Sequence, residues 1–142
     1  MRNSNRVDRP RHLKSIRDFV LYCCLVRTLR QQPTFLRAKR GFVIVVLPHD
    51  HEPDHFRRAT AAVLHGKLTN RNDDAANNFN ILTKTRRDRI VREFVDDYQH
   101  TKMLLAFADS RDAIPPVVEL AADAIIDLSP ITPRDLGAAC RG

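Results

Sequence analysis

The sequence predicts an α/β domain, a three-layer sandwich with a mainly parallel sheet, preceded by a basic helical arm. Three observations carry that expectation. Phe42-Val43-Ile44-Val45-Val46-Leu47 is an unbroken apolar run between Gly41 and Pro48, the pattern of a strand buried on both faces. A second run, Lys102 to Ala108, repeats it. Around and between the two, apolar residues recur at three- and four-residue steps, so strands and helices alternate as β-α-β-α-β-α-β-α. A chain of 142 residues suits one domain of this kind.

Taken in order, residues 12–31 read as a helix whose apolar stripe holds Ile16, Phe19, Val20, Cys23, Cys24 or Leu25, Val26 and Leu29. Pro33 is expected to end it, because proline breaks the backbone ladder. The stripe must pack on something, either the main domain or a partner. After strand 42–47, Pro53 to His65 reads as a helix with Phe56, Thr60, Val63 and Leu64 on one side. Asp50 is its expected cap and Gly66 its stop. Residues 67–78 are polar and turn-rich, a loop. Residues 79–83 form a short strand. Thr85 to Gln99 is a helix with Ile90, Val91, Phe94, Val95 and Tyr98 inward, and Asp88, Arg92 and Asp96 at ion-pair spacing on its outer face. Strand 102–108, a short helix at 115–122, strand 124–128 and a helix from Thr132 to Arg141, with Pro133 in its first turn, complete the pattern.

Composition excludes several classes. With 43% hydrophobic and 29% charged residues, 4 Gly and 8 Pro, the chain is neither a disordered polyelectrolyte nor a fibre. Its longest uncharged run falls far short of the roughly 20 residues that cross a bilayer. The basic start lacks the apolar stretch and cleavage site of a secretory signal. Cys23 and Cys24 are adjacent and Cys140 is distant. Three thiols imply no disulfide framework and fit a reducing, cytoplasmic setting, with Cys23 and Cys24 as core filler.

Charge is uneven. Residues 1–40 carry a balance of +9 and residues 41–142 a balance of −2, giving the net +7. Arg2, Arg6, Arg9, Arg11, Lys14, Arg37, Lys39 and Arg40 are therefore candidate contacts to nucleic-acid phosphates. The same residues also suit a solvated helix, and no aromatic interleaving supports base stacking.

The stretch from His49 to His55 packs six potential metal ligands into seven residues. His49, His51 and His55 are the candidate ligands of a divalent metal, on which a metal-dependent enzyme would be built. His51 and His55 have the i, i+4 spacing of one helix face. Pro53 weakens that geometry, and the acids equally suit a strand-to-helix loop. Lys84, Arg86, Arg87 and Arg111 follow the second and third strands and are candidate anion ligands, or a solvated loop. Ligands in such sheets sit beyond the carboxyl ends of the strands. Yet the turn after the first strand, LPHDHEPDH, has no glycine and three acids, so it offers no phosphate cradle. Neither GxxxxGK[ST] nor GxGxxG occurs, and no strand ends in a magnesium-binding Asp-Glu pair. Ser110 has no histidine in a context marking it as its base, so no hydrolytic triad is expected.

The last forty residues, with strand 102–108, Asp109-Ser110-Arg111 at a polar turn, IPPVVELAAD, AIIDLSP and TPRDLGAACR, resemble the second half of the AAA-type ATPase core. The likeness is greatest to the divergent, non-hydrolysing domains that precede an active one. It implies a P-loop NTPase or Rossmann-like scaffold over residues 41–142, with residues 1–40 as the basic arm. The phosphate loop and the Asp-Glu strand of that family are missing, and Asp109-Ser110 stands where a Thr-Asn type pair is usual. Catalytic residues are therefore not carried over. The resemblance implies a cytoplasmic, non-catalytic module acting in assembly or regulation of an ATPase, through an ATPase partner or a homo-oligomer. No cofactor is expected, with ATP or a divalent metal as the alternatives. The chain reads as the front part of something longer.

Overall fold

The computed structural model describes residues 15–65, 78–84 and 87–141. The strands are β1 (Gly41–Val46), β2 (Phe79–Leu82), β3 (Met103–Ala108) and β4 (Ala124–Asp127). They form one parallel sheet in the order β2-β3-β1-β4. The helices are α1 (Ile16–Leu29), α2 (Pro33–Arg37), α3 (Arg57–His65), α4 (Arg87–His100), α5 (Pro116–Ala121) and α6 (Pro133–Arg141). No described helix is long and apolar enough to cross a membrane.

The continuous apolar runs become strands with two buried faces, because alternate side chains point to opposite sides. Val43, Val45 and Leu47 join Leu105, Phe107 and Ile126 in one core, covered by α1, α2 and α3. Phe42, Ile44 and Val46 join Leu104, Ala106 and Leu82 in a second core, covered by α4 and α5. The α/β expectation therefore holds at the level of a parallel sheet between helical layers.

Helix α1 belongs to the first of these cores. Leu21, Cys24, Leu25 and Leu29 are buried against the sheet, so residues 16–37 of the expected arm share the packing of the sheet domain. Polar contacts fix the helix to the β4–α6 connection. Thr28 Oγ1 accepts from Ser129 N at 3.0 Å, and Cys24 Sγ donates to Ser129 O at 2.9 Å. Arg27 donates to Asp135 Oδ1 and to Pro130 O. Asp135 Oδ2 also accepts from Thr132 N at 2.9 Å. Burial pushes the Asp135 carboxyl up, but the hydrogen bonds from Arg27 and the Thr132 backbone outweigh it and hold the group below its usual range. Burial raises the Cys23 and Cys24 thiols, which suits packing groups rather than nucleophiles.

Several local expectations shift. Helix α1 starts after Ser15, whose Oγ accepts from Asp18 N at 3.0 Å. It ends at Leu29, and Pro33 opens α2 at a position where its missing N–H costs nothing. Ile16 is 56% exposed rather than buried, and Leu21 takes the inward place. Asp50 does not cap the helix that follows; it bonds to His51, and Pro53 opens a 3₁₀ turn ahead of α3. On α4, Ile90 and Phe94 are buried while Val95 and Tyr98 are exposed. Gly66 and residues 67–77 lie outside the described residues.

Two measurements test this account. Leu25→Ala removes a fully buried side chain and should cost about 2–5 kcal/mol in urea unfolding; a loss near zero would mean that α1 does not pack on the sheet. Arg27→Ala strands a carboxylate that is 5% exposed. It should cost about 2 kcal/mol, below the ~3–5 of a fully buried pair, because Arg27 is itself 31% exposed. Since the folded Asp135 value is depressed, its contribution is complete above the ordinary value of 3.8 and is lost as pH falls through the folded value. The gap between wild type and variant should therefore close in acid.

Candidate functional site

Helix α3 leaves β1 toward one face, and α5 leaves β3 toward the other. Because β1 and β3 are neighbours, the connections part between their carboxyl ends. This is the topological switch point, the place where open α/β sheets hold ligands. The strand ends are level there: Leu47 N donates to Ala108 O at 2.9 Å, Leu128 N to Val46 O at 2.9 Å and Asp109 N to Leu82 O at 3.3 Å.

The described cations at this crevice stand beside carboxylates. Arg111 Nη2 lies 3.3 and 3.2 Å from Asp127 Oδ1 and Oδ2. Arg111 follows β3 and Asp127 ends β4, with β1 between them in the sheet, so the pair spans the carboxyl end of β1. Lys84 Nζ stands 4.0 Å from Asp112 Oδ2. Arg86 lies outside the described residues, and of Arg87 only the backbone, opening α4, is described. Asp50, Glu52 and Asp109 are exposed nearby. Of the four expected anion ligands, then, the two whose side chains are described each face a carboxylate.

The three histidines are not brought together. The half-buried His51 ring stacks on Phe56, 6.3 Å between centroids at 27°, and its Nδ1 lies 2.9 Å from Asp50 Oδ1. That hydrogen bond is the main cause holding the Asp50 carboxyl below its usual range. His49 and His55 are exposed. Among the described residues no three His, Cys, Asp or Glu are grouped to hold a metal ion.

Of the candidate nucleic-acid contacts, Arg2, Arg6, Arg9, Arg11 and Lys14 lie outside the described residues. Arg37, Lys39 and Arg40 are exposed where the chain enters β1, at the opposite end of the sheet from the switch point. Arg40 also lines a cleft of about 230 Å³ with Phe42, Tyr98, Lys102 and Asp123.

A further feature was not singled out in the sequence. Asn80 interrupts the otherwise apolar Phe79-Asn80-Ile81-Leu82, and its Nδ2 donates to Asp97 Oδ2 at 2.9 Å. Burial, then the charges of Asp96 and Glu93, raise the Asp97 carboxyl against the lowering effect of Asn80. A polar residue at a buried strand position was the signal available.

Comparison of the chain with protein-family models, with curated proteins and with solved structures finds no match.

The separation of the histidines has a direct check. Zinc at ten equivalents should leave the melting temperature unchanged, because a ligand stabilises only a fold that binds it. A zinc-dependent rise that is lost in His51→Ala would show a metal site at these histidines.

Proposed function

We propose that the chain is a non-catalytic ATPase-like module that serves assembly or regulation of an AAA-type ATPase through protein–protein contacts. The observation that carries the reading is the Arg111–Asp127 pair across the end of β1. In a nucleotide-binding sheet that position holds phosphates on free backbone N–H groups and unpaired cations.

The residues at the crevice do not fit ATP with magnesium. The loop after β1 has no glycine to let the backbone close on a phosphate. The nearby cations Lys84 and Arg111 each face a carboxylate, and the exposed acid Asp109 would repel a triphosphate. A scaffold of this kind with an ill-suited nucleotide crevice supports a role in contact rather than turnover. Exposed apolar side chains agree with such a role, including Leu120 at 87%, Leu136 at 51% and Val117 at 47%.

Calorimetry with ATP and ADP in the presence of Mg²⁺, together with the solution mass, tests the proposal. The expected result is no heat and no turnover. Micromolar nucleotide binding would overturn it. Affinity for duplex DNA or RNA that falls steeply with salt would instead favour the nucleic-acid reading built on the basic N-terminal residues.

A further inference from the structure

Strand β2 stands at the margin of the sheet. Among the described residues it pairs with β3 alone, which leaves its other row of backbone N–H and C=O groups without a described strand partner. An edge of this kind is a template for an added strand. A groove follows it. One cleft, of about 280 Å³, is lined by Arg57, Phe79, Asn80, Glu93, Asp96 and Asp97. A second, of about 180 Å³, shares Ile81 and Glu93 with it and continues to Thr83 and Arg89. The groove therefore runs the length of β2 and suits an extended ligand better than a compact one.

On the α4 face the groove carries three acids, Glu93, Asp96 and Asp97. Glu93 is paired with Arg89 at 2.9 Å, and Asp96 with His100 at 3.4 Å. On the other face Arg57 is paired with Asp54 at 3.2 Å and lies 4.6 Å above the Phe79 ring. Asp97 faces no cation among the described residues; its one hydrogen-bond donor there is the Asn80 amide. Asn80 itself is only 6% exposed, and among the described residues its buried Oδ1 has no hydrogen-bond partner. A buried acceptor without a donor is costly and calls for one. Among the described residues two demands thus stand unmet side by side, a donor for the Asn80 carbonyl and a positive charge for Asp97.

We propose that the outer edge of β2 takes an extended segment of a partner protein that carries Lys or Arg at alternate positions. Its backbone continues the sheet. Its cationic side chains, all on one face because strand side chains alternate, reach Asp97 and the Asn80 carbonyl. Its intervening apolar side chains lie along Phe79 and Ile81. Main-chain pairing supplies affinity and the acidic face selects the segment, the division of labour found when peptides add to sheet edges. The inference deepens the protein–protein reading above and rests on it for the class of partner.

The test uses the full 142-residue chain and a fluorescein-labelled peptide alternating valine with arginine, followed by anisotropy. A peptide alternating valine with glutamate is the control. The arginine peptide should bind saturably and weaken with added salt, and the glutamate peptide should not bind. Asp97→Asn should weaken binding roughly tenfold, the scale of one lost charge-assisted hydrogen bond. Asp96→Asn, at a side chain 76% exposed, should weaken it only about twofold. Amide shifts on titrating the wild-type chain should fall in β2 and α4, which keeps the test decisive if a variant does not fold. Equal binding of both peptides, an unchanged Asp97→Asn, or shifts elsewhere would overturn the inference. Nucleotide turnover with peptide binding intact would defeat the non-catalytic reading alone.

Discussion

Everything in this fold answers to the double burial of β1. Val43, Ile44 and Val45 are fully buried, and the strand has a parallel neighbour on each side. Both of its faces must therefore be dried by helices. On one face the chain's own crossovers do this, because α4 and α5 bring Ile90, Phe94 and Val118 onto Phe42 and Ile44. On the other the crossovers supply only α3, nine residues long. The exposed remainder is covered from outside the repeating unit, by α1 and by Phe35 of α2. At Gly41 the fit is close enough that a Cβ would stand 2.9 Å from the Phe35 ring. A helix that reads as an appendage is in this way part of the sheet's cover.

Apolar cover alone does not fix a helix in one position, and here polar groups set the register. The connection from β4 to α6 leaves Ser129 and Pro130 with backbone groups that no strand satisfies. Helix α1 answers them with Thr28, Cys24 and Arg27. Arg27 in turn neutralises Asp135, which closes the turn before α6 through Thr132. At the other end of α1, Asp18, only 3% exposed, accepts from Arg58 of α3 at 3.3 Å. The first helix thus ties α3 to α6, two elements far apart in the chain.

The strands were legible because burial on both faces writes itself as an unbroken apolar run, as in Phe42 to Leu47 and Met103 to Ala108. Helix existence followed from periodicity in the same way. The partner of α1 was not legible, since a stripe names the face that packs and not what it packs on. Nor were the ion pairs at the crevice. Arg111 and Asp127 are sixteen residues apart, and only the insertion of β1 between β3 and β4 gives their pairing a meaning. Asn80 carried a signal that a strand assignment absorbs without comment, namely one amide among three apolar residues.

Charge is arranged differently at the crevice and at the edge of β2. The chain is net positive, yet its positive surplus belongs to the first forty residues. Within the sheet domain the crevice between β1 and β3 pairs Lys84 and Arg111 with carboxylates and adds Asp109 beside them. An entering phosphate would have to displace those carboxylates and then face the exposed Asp109, losing on both counts. At the edge of β2 the imbalance has the other sign of consequence. Among the described residues Asp97 and the Asn80 carbonyl bear the cost of burial without a cationic partner, so a cation entering there would relieve a penalty rather than incur one. The described cations at the crevice thus stand beside carboxylates, whereas at the edge of β2 Asp97 has the Asn80 amide and, among the described residues, no cation.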